Sequence, residues 1–271
     1  VMEHFQTDTA DYADYVLPAT TQLEHWDVQG SYGHTDLLLN RPAIEPVGLA
    51  KPNTEIFRGL AKAMGYTDPC FSEDDLSLCR TAAGPHVDFE MLLSQGFVTM
   101  PVADAPFATG GFATPSGKCE FVSDRLAAMG LDPLPDHVPN YEVPVAGHKY
   151  PLAMISAPAR NFLNSSFVNV ESLRAIEKEP LVEICSEDAS ARGIATGDTV
   201  KVFNDRGEYH CKADVSLRAR AGVVNGLGIW WRKMGLNGTN VNEVTSQLLT
   251  DLGRAPVFYD CQVEVALLKK A

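Results

Sequence analysis

From residue 149 onward the sequence is cut into short apolar runs by turn signals at close, even spacing, and this limits the fold more than any other feature. Residues 151–156 form one apolar run. Leu181, Val182 and Ile184 form a second, with Glu183 among them. Val200 and Val202 alternate with Lys201, and Phe203 ends that run. Asn204, Asp205, Arg206 and Gly207 are a hairpin turn signal, and residues 209–215 read as the return strand. Val223 and Val224 begin another strand. Between them lie a turn at Thr196, Gly197 and Asp198 and a short helix over 187–192. Ser186 is its expected cap, and two acids in its first turn suit the helix dipole. Runs this short bury an apolar face by pairing into a β-barrel or sandwich.

Two zones precede this one. In residues 1–68, Tyr15, Val16 and Leu17 predict a buried strand that Pro18 ends. Gly30 and Gly33 mark a loop. After Pro52, Asn53 or Thr54 caps a helix with Ile56, Phe57, Leu60, Ala61 and Met64 on one face, and Gly65 stops it. This zone reads as the closing units of an α/β domain. Residues 69–148 are mixed helical and irregular. Ser72 and Asp75 have the spacing of a capping box before a helix through Leu76 and Cys79, and a second helix covers 88–94. Pro101, Pro106, Gly110, Gly111, Pro115 and Gly117 break up any regular element across 101–117. Residues 131–135 have the composition of an inter-domain connection.

Charge and cysteine usage remove several function classes. Lys plus Arg is 22 and Asp plus Glu is 35, for a net charge of −13. That balance argues against nucleic acid as a partner, because phosphate backbones attract the opposite sign. A phosphate-bearing cofactor stays open, since backbone N–H groups hold phosphate without net positive charge. Cys70, Cys79, Cys119, Cys185, Cys211 and Cys261 include no C-x-x-C pair and read as reduced core cysteines in a reducing compartment. No apolar run is long enough to span a bilayer. The N-terminal residues show neither a basic region nor a signal core, and the chain reads as a fragment. Gly117 and Lys118 do not make a P-loop, because Phe112 stands where a glycine is needed and Cys119 where Ser or Thr is needed.

Two polar clusters invite a ligand. Residues 156–166 follow an apolar strand and supply Ser156, Asn164, Ser165 and Ser166, short side chains with both donors and acceptors. The alternative is a capped turn leading to a helix near Val170. The second cluster is Trp230 and Trp231 followed by residues 237–246. On a strand, adjacent tryptophans face opposite ways, so one could be core and the other could line a cleft; the alternative is one core and one rim tryptophan with a polar surface loop after them. His34 reads as a loop histidine. Glu24 and Asp27 could share a helical face, though surface carboxylates explain them as well.

Several segments, in order, resemble the molybdopterin oxidoreductase (dimethyl sulfoxide reductase) family. Residues 13–21, reading ADYVLPATT, are followed by Glu24, by Gly30, Ser31, Tyr32 and Gly33, and by residues 40–46, NRPAIEP. Residues 114–121, TPSGKCEF, resemble the family's segment before its last domain. Residues 180–198 are similar to the opening of its dinucleotide-binding domain, and Asn242, Glu243, Val244 and Thr245 resemble its N-x-(L/V)-T. The resemblance implies the tail of an α/β (Rossmann-like) domain over 1–68, a connecting region over 69–148, and a double-psi β-barrel over 149–271.

It also implies a bis(molybdopterin guanine dinucleotide) cofactor carrying molybdenum or tungsten. Ser156, Asn164, Ser165, Ser166, Trp231, Asn242, Thr245 and Gly33 are the expected cofactor contacts. Gly30, Tyr32, Gly33 and His34 fall in the loop that faces the metal in relatives, with Tyr32 and His34 as the candidate active-site pair. No catalytic residue or metal ligand is expected within the chain. The family's [4Fe–4S] cysteines and metal ligand lie upstream of every segment matched here, so the chain alone is expected to be inactive. The expected partners are the molybdopterin cofactor, a small-molecule substrate and electron-transfer subunits, in the cytoplasm. The competing reading is a stand-alone cofactor-binding barrel without catalysis, and a third is an unrelated soluble protein.

Overall fold

The computed structural model describes residues 1–134, 136–142 and 147–271. The chain divides into two compact units, Val1–Pro135 and Asp136–Ala271. Pro135, the last residue of the expected connection, lies outside the described residues.

The first unit opens with β1 (Met2–Glu3), α1 (Asp8–Asp11) and β2 (Leu17–Pro18), with β1 and β2 paired in parallel. Next come β3 (Asp27–Gln29), β4 (Asp36–Asn40), α2 (Asn53–Met64), α3 (Asp75–Ala83), α4 (Phe89–Gln95), β5 (Phe97–Thr99) and α5 (Asp124–Ala128). Strands β3, β4 and β5 form an antiparallel sheet in that order. Leu39, Cys79, Phe89, Leu92 and Val98 are its buried core. Helix α2 ends where Gly65 turns left-handed, with Tyr66 N–H donating to Ala61 O. It is tied to α3 by the Arg58–Asp75 ion pair at 2.8 Å.

Three expectations for this unit are corrected. Tyr15, Val16 and Leu17 are exposed, because a two-residue parallel pair buries no face. Ser72 donates to Pro69 O; the cap of α3 is Asp74, which accepts from Ser77 N at 2.9 Å. Glu24 shares no helical face with Asp27, which begins β3, and is itself buried. Its carboxylate accepts from Thr21 N and Val47 N, both at 2.7 Å. These backbone donors, Thr21 first, hold its carboxyl below the usual glutamate range.

The second unit holds β6 (Leu152–Ile155), α6 (Glu171–Glu177), β7 (Leu181–Ile184), α7 (Ser186–Ala191), β8 (Thr199–Phe203), β9 (Glu208–Val215), β10 (Val223–Leu227) and β11 (Cys261–Lys269). Its six strands close into a barrel in the order β10-β6-β11-β8-β9-β7. Two pairings, β10 with β6 and β7 with β9, are parallel. Closure leaves no free edge, which explains how such short strands hold together. The period-2 pattern fills the interior: Val200 and Val202 from β8, Tyr209, Cys211 and Ala213 from β9, Val263 and Val265 from β11. Each fully buried Val or Leu contributes roughly 1.5–3 kcal/mol. The cap of α7 is Cys185 rather than Ser186, its Sγ facing Asp188 N at 3.5 Å.

Among the described residues no helix is long and apolar enough to cross a membrane.

Candidate functional site

Strands β6 and β10 run parallel, with Val223 beside Ala153 and Asn225 beside Ile155, so both leave the barrel at one rim. Each continues into one of the two polar clusters. Beyond the strands the chains stay paired: Gly228 N–H donates to Ala157 O at 3.1 Å, and Ala159 N–H donates to Gly228 O at 2.8 Å.

The first cluster then turns back tightly. Leu163 and Ser166 exchange both backbone hydrogen bonds, at 3.2 and 2.9 Å, around Asn164 and Ser165. Asn164 takes a φ of 53°, a left-handed conformation that asparagine tolerates better than most residues. The turn is fixed by its carbonyls. Ile229 N–H donates to Asn164 O at 3.3 Å, and Trp231 Nε1–H donates to Ser165 O at 2.8 Å. At its start, Asn161 donates through both N and Nδ2 to Glu177 Oε1 in α6.

Trp231 is buried. β10 ends at Leu227 and Trp231 precedes a 3₁₀ turn, so strand alternation does not apply to the pair. Both indoles are buried in one cluster with Ala159, Phe162 and Val168. Trp230 packs edge-on against Phe162 with centroids 5.1 Å apart. Trp231 therefore acts on the first turn through its indole N–H.

The second cluster is only partly a surface loop: Asn237, Gly238 and Asn242 are exposed, but the segment also enters the core. Val241 and Val244 are buried in the barrel core, and Thr245 and Ser246 are buried beside them. Asn240 ties the segment at one end. Its Nδ2 donates to Trp230 O at 2.8 Å and its Oδ1 accepts from Asn242 N at 3.0 Å. Thr245 Oγ1 donates to Asn242 O at 3.2 Å. Asn242 itself stays exposed.

In both clusters, then, backbone groups are committed within the chain. The side chains of Asn164, Ser165, Ser166 and Asn242 are exposed and make no hydrogen bond among the described residues. Ser156 is buried at the end of β6. Such a rim offers amide and hydroxyl donors and acceptors on a rigid frame, suited to a polar heterocycle or a phosphate. Among the described residues no group of three or more His, Cys, Asp or Glu side chains is placed to hold a metal ion.

Tyr32, Gly33 and His34 belong to the first unit, in the turn between β3 and β4. Tyr32 is fully exposed, and Gly33 has a φ of 88° that favours glycine. His34 Nδ1 accepts from Asp36 N at 3.1 Å. Gly30 lies just before this turn.

Residues that the sequence did not single out also shape the rim. Asn204 and Arg206, read only as turn formers, reach the second cluster. Nothing in their local sequence signals that reach.

Comparison with known proteins gives concordant matches. A family model described as molydopterin dinucleotide binding domain matches residues 152–262, and one described as molybdopterin oxidoreductase matches residues 1–63. A probable oxidoreductase, YoaE, of Bacillus subtilis (strain 168) is 36% identical over 272 residues, covering 98% of this chain and 39% of the relative. The dimethyl sulfoxide/trimethylamine N-oxide reductase of Cereibacter sphaeroides is 32% identical over 258 residues, covering 83% of this chain and 31% of that protein. In structure, the chain is similar to acetylene hydratase from Pelobacter acetylenicus, with a TM-score of 0.80 at 24% identity, over 98% of this chain and 40% of that one. The chain thus spans about two fifths or less of the length of these relatives.

Proposed function

The chain belongs to the molybdopterin oxidoreductase family, and from that membership we propose that it is the dinucleotide-holding part of an enzyme using bis(molybdopterin guanine dinucleotide) with molybdenum or tungsten. In this reading the barrel is of the double-psi type and residues 1–68 close a Rossmann-like domain. When bound, the cofactor supplies a redox-active metal for two-electron chemistry or oxygen-atom transfer. The observation that carries the reading is the shared rim: two polar segments, locked by their backbones, with the Asn164, Ser165, Ser166 and Asn242 side chains uncommitted.

The donor set fits the group. A pterin edge and a guanine each present paired donors and acceptors, which amides and hydroxyls match. Asn164, Ser165 and Ser166 hold one such edge, and Asn242 with Thr245 holds the other. Ser156 shapes the rim at the end of β6, and Trp231 fixes the first turn. A rigid frame places these groups before binding, so less ordering entropy is lost on association. Gly33, Tyr32 and His34 are assigned to the active-site loop on family resemblance, with Tyr32 and His34 as its polar side chains. The substrate is a small molecule of the kind that reductases of sulfoxides and amine oxides handle. Electron-transfer subunits, an iron–sulfur cluster outside the chain and a cytoplasmic location complete the proposal.

The test is cofactor retention. Protein purified with its cofactor is assayed for molybdenum, tungsten and GMP released by acid hydrolysis of the dinucleotide. Asn164→Ala and Asn242→Ala are each expected to lower retained GMP about tenfold, the equivalent of one or two lost hydrogen bonds. Unchanged GMP in both variants rules the reading out. Full loading without any two-electron turnover would favour a binding module.

A further inference from the structure

The Asn242–Thr245 segment is held from below by a clamp that nothing in the family match requires. The carbonyl of Val244, itself fully buried, accepts three donors. Asn204 Nδ2 donates at 2.8 Å, Arg206 Nε at 2.8 Å and Cys261 Sγ at 3.1 Å. A typical buried carbonyl takes one or two, so this one is a deliberate anchor point.

Each donor is in turn held in place. Asn204 Nδ2 also donates to Gln262 O at 3.0 Å, and its Oδ1 accepts from Arg206 N at 3.0 Å. The rest of the Arg206 guanidinium forms a fork on Glu142, through both terminal nitrogens. Glu142 also accepts from Gln262 N at 2.8 Å, which fastens the fork to β11. Burial alone would favour the neutral guanidine, but Glu142 outweighs it and keeps Arg206 firmly charged. The β8–β9 turn presses directly on the same segment: a Cβ on Gly207 would stand 2.9 Å from Glu243 O. The other side of the segment is pinned by Val241 against Gly228, where a Cβ would be 3.1 Å away.

We infer that Arg206, oriented by Glu142 and assisted by Asn204, is a positioning residue for the dinucleotide, acting through the Val244 carbonyl to set the height and angle of Asn242. The inference rests on the proposed role of Asn242. Arg206 touches no ligand itself; it decides where the residue that does so sits. A planar fork with one nitrogen on the carbonyl and two on a carboxylate fixes an orientation that a lysine cannot reproduce.

The experiment uses the cofactor-loaded protein and reads two quantities: hydrogen exchange of the Asn242, Glu243 and Val244 amides, and retained GMP. The variants are Arg206→Ala, Glu142→Gln, Asn242→Ala and the double variant Arg206→Ala with Asn242→Ala. Arg206→Ala is expected to speed exchange at those amides and to lower retained GMP, each about tenfold, the lower end of the scale of one lost charge-assisted hydrogen bond. Glu142→Gln keeps the contacts to Val244 but loosens the fork, so it gives a smaller change of the same sign and serves if Arg206→Ala does not fold. The double variant should retain as much GMP as Asn242→Ala alone, because both act on one contact. Faster exchange with unchanged GMP, or additive losses in the double variant, overturns the positioning role while the proposed function stands. No effect of Asn242→Ala on GMP removes the proposed function, and the positioning role with it.

Discussion

Glu24 shows how far a single residue departs from the average behaviour of its type. A glutamate in a polar stretch is a surface residue by default. Here it is buried, because two backbone N–H groups and the Thr21 hydroxyl need an acceptor and only an ionised carboxylate serves all three. Its folded-state carboxyl is lowered, chiefly by the Thr21 backbone bond. The associated stability is therefore complete above the pKa of an unfolded glutamate, about 4.3, and is lost as pH falls through the lower folded value. Glu24→Gln lacks that contribution. Thermal melts should show the variant less stable than the parent at pH 7, with the gap closing below about pH 4. A gap independent of pH between 7 and 3 would mean that the carboxylate charge is immaterial. The same residue marks the limit of local reading: the Thr21–Glu24 spacing is visible in the sequence, but the third partner, Val47, comes from a distant loop.

At the scale of elements, legibility in the sequence divides along sequence separation. The alternation of Val200 and Val202, the 204–207 turn and the return strand all appear as β8, the hairpin and β9, because a hairpin is local. The barrel's parallel pairings join segments far apart in the chain, and no local pattern specifies them. The 240–246 segment departs from its expected surface position for a related reason. Its polar composition says surface, yet Val241 enters the core because Gly226 and Gly228, on β10 and just beyond it, leave room: a Cβ on either would stand only 3.2 or 3.1 Å from its side chain, a tight contact. The candidate contacts at Asn164 and Asn242 were legible through family resemblance, whereas their supports, Asn204 and Arg206, were not, since both serve in a turn that needs no further explanation. The barrel interior gives the sharpest test of the element packing. Met154 is fully buried and lies under the Tyr209 hydroxyl at 3.7 Å. Met154→Ala should lower the unfolding free energy by ~2–5 kcal/mol in urea titration with the m-value unchanged. Lys201→Ala, on the outer face of β8 in the same barrel, should change it by at most about 0.5 kcal/mol. Equal effects at the two sites would contradict the assignment of inside and outside.

For the molecule as a whole, charge and ligand pull in opposite directions. The chain carries a net charge of −13, and the proposed ligand carries phosphates. Long-range attraction therefore does not recruit the dinucleotide, and the candidate grip consists of neutral groups: two asparagines, the serines and a threonine on a braced rim. Contacts of that kind are short-ranged and hardly screened by salt, unlike lysine or arginine contacts to phosphate. A ligand that binds only the folded barrel raises its stability by mass action, by about 2.7 kcal/mol at a hundredfold excess over Kd. With a neutral grip, that gain should survive high salt. Calorimetric scans of loaded and cofactor-stripped protein at 0.05 and 0.5 M NaCl are expected to give the same difference in Tm within about 1 °C, because the Debye length shortens from roughly 14 to 4 Å without reaching contacts made at hydrogen-bond distance. A difference that collapses at high salt would place the grip on cations and not on Asn164 and Asn242.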